Sequence, residues 1–196
     1  MLALGIDPGT RNLGWGLVLR RGARLEHVAH GVIRVSPSLP LAARLVEIAK
    51  GLEAVIASHR PALGSVEQLF FHKDPQAAAK LGHARGVVLL ALGREGIEIV
   101  EHTPARVKLT VAGHGQASKA QVSHMVRAIL GIEDAMPEDA SDALAIAITA
   151  LRLNPLTLAA AVPRAAARQR RIPEHLAALI KASQATQAAR KKAASS

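Results

Sequence analysis

Four carboxylates of this 196-residue chain occupy positions where acidic side chains are uncommon unless they take part in chemistry. Asp7 directly follows the first apolar run, and Glu67 lies inside the apolar segment Leu63–Phe70, which is predicted to be a strand. Asp139 and Asp142 open the last apolar-patterned helix, and residues three apart share one side of a helix. Carboxylates seldom lie in apolar strands without a partner, because burying their charge is costly.

If these acids converge, their repulsion raises their pKa values, and a divalent cation would relieve it. Ligand sets made only of oxygen suit Mg²⁺ or Mn²⁺ rather than zinc. Two such ions about 4 Å apart activate a water and stabilise the leaving oxygen in phosphodiester hydrolysis. The acids therefore indicate a metal-dependent nuclease.

Each acid also has a purely structural interpretation. Asp7 can organise a type II turn at residues 7–10, where the Pro and Gly stand at the second and third places. Asp139 can be a helix N-cap with Asp142 in the first turn, where the helix dipole favours negative charge. Glu67 can lie at a sheet edge with its side chain in water.

The net charge of +10 suggests a polyanionic partner. Residues 163–196 hold eight basic side chains and one acid, so most of the excess lies there. Such a tail can be a solvated extension, an arm that binds a phosphate polymer, or both. Only three aromatic residues are present, which excludes a multi-base stacking platform.

Composition excludes several other classes of protein. Cysteine is absent, which removes disulfide scaffolds, thiol nucleophiles and cysteine-based metal sites. No run of eighteen apolar residues is present, and the first residues lack the features of a signal peptide. We therefore expect a cytoplasmic protein that does not associate with membranes.

Apolar periodicity predicts three strands, then a helix, a strand, a helix, a strand and further helices. Early hairpins and later helical crossovers favour an α/β fold with a mixed sheet and helices on its faces. The helix from Pro75 to about Gly93 has a face of small residues against which another backbone could pack. The pattern predicts a domain at 1–155 and a basic, Ala- and Arg-rich extension at 156–196.

Four stretches resemble one known family: GIDPGTRNLGWG (5–16), VEQLFFHKDPQAAAKLGHARG (66–86), residues 103–126 and EDASDALAIAIT (138–149). They closely resemble the RuvC family of Holliday-junction resolvases, or crossover-junction endodeoxyribonucleases, and span nearly all of residues 1–152 in order. The resemblance implies a ribonuclease-H-like fold whose mixed five-stranded sheet has helices on both faces. It also implies a homodimer that resolves four-way DNA junctions in recombination and repair by Mg²⁺-dependent cleavage.

The resemblance also assigns roles to individual residues. The family's catalytic, metal-binding acids match four residues: Asp7, Glu67, Asp139 and Asp142. Two Mg²⁺ ions per site are expected, and Mn²⁺ can substitute. In the expected mechanism Asp7 bridges the two ions and water attacks the scissile phosphate in line, leaving 5′-phosphate and 3′-hydroxyl ends. Two symmetric nicks then give ligatable duplexes.

Further matches concern DNA and protein partners. Lys108 and Lys119 match functional lysines, with Lys119 expected to stabilise charge on the phosphate. Phe70 matches an aromatic residue that contacts bases near the branch point, and Pro75–Gly93 matches the dimer element. The family further implies RuvA–RuvB, the branch-migration complex, as a partner. Without the resemblance, Lys108 would be an ordinary solvated lysine, Lys119 a residue that begins a helix, and Phe70 a core residue.

Two other functions remain open from the sequence. The turn at residues 7–10 is also typical of ATPases of the actin and sugar-kinase type, although the chain is short for a two-lobed nucleotide cleft. The positive charge alone would fit a non-catalytic architectural DNA-binding protein, although bare carboxylates weaken phosphate binding.

Overall fold

One mixed five-stranded sheet carries the fold of residues 1–68 and 75–153, which are the parts of the chain that this computed structural model describes. The strands are β1 (Leu2–Asp7), β2 (Asn12–Arg21), β3 (Arg24–Arg34), β4 (Leu63–Glu67) and β5 (Glu98–His102). Their order is β3-β2-β1-β4-β5. The first three strands form an antiparallel meander, whereas β4 and β5 run parallel to β1.

Helices cover both faces of this sheet and enclose two hydrophobic cores. The helices are α1 (Leu41–His59), α2 (Pro75–Arg94), α3 (Pro104–Ala112), α4 (Lys119–Leu130) and α5 (Glu138–Leu153). Buried residues of α1 and α2 pack with Leu4, Ile6 and Leu17 on one face. Those of α3, α4 and α5 pack with Ala3, Val18 and Leu63 on the other. The predicted mixed sheet with helices on both faces is confirmed.

Local capping explains where the two helices beside the site begin. The Thr103 side chain accepts a hydrogen bond from the backbone N–H of Arg106, which caps α3. Ser118 and Gln121 form a reciprocal capping box at the start of α4. These caps satisfy N–H groups that would otherwise be unpaired, and they fix the point at which Lys119 leaves the loop.

Glycines let α5 lie unusually close to the sheet. A Cβ at Gly5 would be 2.0 Å from the Ala143 carbonyl oxygen, and one at Gly14 would be 2.0 Å from the Asp139 carbonyl oxygen. Any larger residue at these strand positions would push the helix away. The glycines of β1 and β2 therefore set the distance between α5 and the sheet.

Three local predictions are wrong in detail. Gly9 does not have the positive φ that a type II turn requires at its third position. The reason for glycine is space, because a Cβ there would lie 2.1 Å from the Asn12 carbonyl oxygen. The strand β4 ends at Glu67, so Gln68 is not part of it. Asp139 is not an N-cap, since it lies within the first turn of α5.

Parts of the predicted organisation lie outside the described residues. The boundary at residue 155 and the extension at 156–196 are among them, and both stay predictions. Among the helices of the described ranges, none has the length and hydropathy needed to span a bilayer.

Candidate active site

Two of the predicted acids lie side by side where adjacent parallel strands end. Asp7 is the last residue of β1, and Glu67 is the last residue of β4. Ile6 of β1 is paired in register with Val66 of β4. The next residues along the two strands, Asp7 and Glu67, therefore lie next to each other. Side chains alternate along strands, and both acids therefore lie on the face that α5 covers.

The other two acids come from the first turns of α5. Gly14, the β2 residue paired with Asp7, lies directly under the backbone of Asp139. This contact brings the N-terminal end of α5 over the end of β1. Asp142 follows one turn later on the same side of the helix. The structure thus gathers all four predicted acids around the end of β1.

The three neighbouring acids act on the ionisation of Asp7. Burial raises the pKa of Asp7 to about 7, and the negative charges of Asp142, Glu67 and Asp139 add to this increase. Burial also raises the pKa of Asp142 above its usual value. A cluster of this kind is costly while every carboxylate is ionised, and bound positive charge would stabilise it.

Lys119, the first residue of α4, supplies positive charge at the edge of this cluster. Its Nζ donates to Asp142 Oδ2 at 3.3 Å and to Glu138 Oε1 at 2.5 Å. The hydrogen bond to Glu138 is the main reason that the pKa of Lys119 lies above its usual value. These contacts offset the unfavourable position of a cation at a helix N-terminus.

A cleft of about 730 Å³ opens beside the acids and contains both predicted lysines. Asp7, Glu67, Asp142, Lys108 and Lys119 all line it, together with apolar residues of α3, α4 and α5. Asp139 is not among the lining residues, although its charge acts on Asp7. A larger groove of about 1370 Å³ lies at the β2–β3 hairpin and the α4–α5 connection, and it contains none of the predicted site residues.

Phe70, the predicted base-contacting residue, lies outside the described residues, and its role stays a prediction. The other six predicted residues are all described.

The donor set of the cluster fits a hard divalent cation. It consists of carboxylate oxygens, which are the ligands that Mg²⁺ and Mn²⁺ prefer. Within residues 1–68 and 75–153, however, no group of three or more His, Asp or Glu side chains is already arranged to hold a metal ion.

Comparison with known proteins identifies the family. The family model described as crossover junction endodeoxyribonuclease RuvC matches residues 3–150. The chain belongs to the RuvC family.

Individual RuvC relatives cover most of the chain. A protein of Sorangium cellulosum (strain So ce56) named crossover junction endodeoxyribonuclease RuvC is 59% identical over 151 residues, which are 77% of this chain and 84% of that protein. A protein of the same name from Methylorubrum populi is 49% identical over 146 residues, 74% of this chain and 77% of that protein. The solved structure of T. thermophilus RuvC in complex with Holliday junction substrate has 38% identity and a TM-score of 0.73, and the match covers 77% of this chain and 93% of that one.

Membership of the RuvC family decides between the functions left open by the sequence. It confirms the predicted resemblance and favours the endonuclease over the ATPase and the architectural protein. It also confirms the expected fold class, since the T. thermophilus RuvC structure superimposes over most of the chain.

One contact beside the acid cluster was missed by the sequence analysis. Glu138 precedes Asp139 in an acidic run, but nothing in its spacing indicates that it contacts Lys119, which lies 19 residues earlier. The contact arises because the start of α4 and the start of α5 meet at the mouth of the cleft.

Proposed function

We propose that this chain resolves four-way DNA junctions by hydrolysing phosphodiester bonds at the Asp7 cluster. The observation that carries the proposal is the convergence of four carboxylates at the ends of β1 and β4 and the start of α5. Membership of a family of crossover junction endodeoxyribonucleases supports the same conclusion from an independent direction.

We assign the metal-binding role to the four acids. Asp7 lies at the centre of the cluster, because the charges of the other three all act on it. Glu67, Asp139 and Asp142 approach from different elements and would complete the oxygen ligands of one or two Mg²⁺ ions, with Mn²⁺ as a substitute. When bound, the metal would supply Lewis-acid stabilisation and an activated water for attack on phosphorus.

The two lysines would hold the DNA strand over these acids. The ammonium group of Lys119 lies at the mouth of the cleft, where it could pair with the scissile phosphate as negative charge develops. Lys108 on α3 lines the same cleft and could contact the neighbouring backbone. Phe70 would support or unstack a base near the branch point.

A homodimer would place two such sites on a two-fold symmetric junction. The exposed faces of α1 and α2 support this assembly, because they carry apolar residues such as Val46, 51% exposed, and Leu90, 55% exposed. We propose that the α2 face pairs with a second copy of the chain. RuvA–RuvB as a partner complex and a cytoplasmic location belong to the same proposal.

Nicking of an end-labelled mobile four-way junction tests the function directly. We expect paired, symmetric nicks in the junction with Mg²⁺ or Mn²⁺, and none when a chelator removes the metal. Linear duplex of the same sequence is the control and should stay intact. Tight junction binding without cleavage in either metal would contradict the proposal and favour an architectural protein.

Deleting residues 163–196 tests whether this basic segment binds the phosphates of DNA. The deletion removes eight basic side chains and one acid, so junction affinity should fall and its dependence on salt should become less steep. Titrations of the full chain and the deletion variant at several NaCl concentrations would measure both quantities. An unchanged salt slope would show that the segment does not bind phosphates.

A further inference from the structure

The contact between Lys119 and Glu138 suggests a control on DNA binding. Lys119 Nζ lies 2.5 Å from Glu138 Oε1 but 3.3 Å from Asp142 Oδ2, so the shorter contact is to the acid that is not in the predicted metal-binding set. The side chains of Lys119 and Glu138 are 68% and 67% exposed, so both can be reached from solvent. Lys119 lines the cleft, whereas Glu138 is not among its lining residues.

An exposed ion pair of this kind is easily exchanged. Such pairs contribute little to stability, because water and salt screen them and both side chains lose freedom. A DNA phosphate that enters the cleft can therefore replace the Glu138 carboxylate as the partner of Lys119. Glu138 is not needed to keep the lysine charged, because an unperturbed lysine is already protonated at neutral pH.

We propose that Glu138 competes with the DNA backbone for Lys119, so that phosphate must displace this carboxylate before the lysine can engage the strand. The inference rests on the proposed function, since it assumes that DNA enters the cleft beside Asp7. The competition lowers affinity for DNA that engages Lys119, because that DNA must first break the pair between Lys119 and Glu138. DNA that brings no phosphate to Lys119 does not meet this cost.

The exchange has a signature in the salt dependence of binding. The pair between Lys119 and Glu138 is exposed, so salt screens it and its competition with phosphate fades as the salt concentration rises. Binding by Glu138→Gln lacks this compensation. The plot of log affinity against log salt should therefore be somewhat steeper for Glu138→Gln than for the wild-type chain.

A double-mutant cycle tests the competition. Junction binding is measured for the full chain and for the variants Glu138→Gln, Lys119→Gln and the double variant, in chelator so that no strand is cut. We expect Glu138→Gln to tighten binding by roughly three- to fivefold at low salt. In the Lys119→Gln background the same change should have an effect of less than about twofold, because the competition no longer exists.

The matched control is Glu133→Gln, which removes the same charge from an exposed residue in the α4–α5 connection. Its effect measures long-range repulsion between the protein and DNA. Equal tightening by Glu138→Gln with and without Lys119 would overturn the proposal, since Glu138 would then act only through its charge. Weaker binding that depends on Lys119 would also overturn it, because Glu138 would then position the lysine.

These readouts stay separate from the proposed function. The cycle measures binding alone, so a protein that binds junctions but never cuts them would contradict the nuclease assignment and still report on the Glu138 contact. A cycle with no coupling, together with normal Mg²⁺-dependent nicking, would overturn the competition and leave the nuclease assignment in place.

Discussion

Replacing Asp7 with Asn should reduce junction cleavage by at least about 10³-fold and leave junction binding intact. The charges of the other three acids all act on Asp7, so the substitution would remove the central ligand of the proposed metal site. Binding should survive because the proposed phosphate contacts come from basic residues, and one negative charge fewer repels DNA less. Single-turnover nicking and binding titrations on the same junction would measure the two effects.

The same substitution should stabilise the protein when no metal is bound. The pKa of Asp7 rises from 3.8 to about 7 on folding, so the folded chain holds this proton more tightly than the unfolded chain. Wild-type stability therefore falls as pH rises from about 4 to 7, and above pH 7 the full loss is present. The loss is at most about 4 kcal/mol, and Asp7→Asn would recover part of it.

Thermal unfolding in chelator at pH 8 measures this gain, which we expect to be roughly 3–8 °C in Tm. Mg²⁺ should raise the Tm of the wild-type protein more than that of the variant, because the cation stabilises only the ionised cluster. Cleavage at the wild-type rate by the variant would remove the central claim. An unchanged Tm with lost cleavage would show that the acids do not strain the metal-free fold.

Replacing Gly14 with Ala should be a strongly damaging small change away from the acids themselves. The new Cβ would lie 2.0 Å from the Asp139 carbonyl oxygen and 2.4 Å from its carbonyl carbon. Backbone atoms cannot move aside as a flexible side chain can, so the start of α5 must shift. We expect a loss of about 1–3 kcal/mol in the free energy of unfolding.

Cleavage should suffer more than stability in this variant. A displacement of about 1 Å in catalytic groups costs on the order of 10²-fold in rate, and Asp139 and Asp142 would move together with α5. Denaturant unfolding and single-turnover nicking give the two numbers. Gly115→Ala is the control, because a Cβ there would lie 3.6 Å from the Ala105 carbonyl oxygen, an ordinary contact distance, and it should keep wild-type stability. A Gly14→Ala variant with wild-type cleavage would show that cleavage does not depend on the close packing of α5 against β2.

The strands, the helices and the four acids could be predicted because each leaves a local signal. Apolar periodicity marks the elements, and an acid next to or within an apolar run marks Asp7 and Glu67. Asp139 and Asp142 share a helix side through their spacing alone. Each of these signals extends over only a few residues, so it can be detected without knowing which distant residues the fold places in contact.

Other features depend on contacts between residues that are distant in sequence, and no local pattern predicts these contacts. The pair formed by Lys119 and Glu138 needs two helix starts to meet in space. Gly9 looked like a turn glycine, but its requirement is a close approach to Asn12. Gly14 carries no pattern that would distinguish it from other strand glycines, yet it sets the position of Asp139.

The packing of α5 on β1 and β2 also determines when, during synthesis and folding, the four acids can come together. The first two strands emerge early from the ribosome, but the helix that covers their glycine-lined face is translated more than a hundred residues later. Contacts so far apart in sequence form slowly. A nascent chain therefore carries Asp7 and Glu67 without their two partners from α5. Under the proposed assignment of the four acids, strand cleavage would have to wait for the same docking event that completes this half of the core.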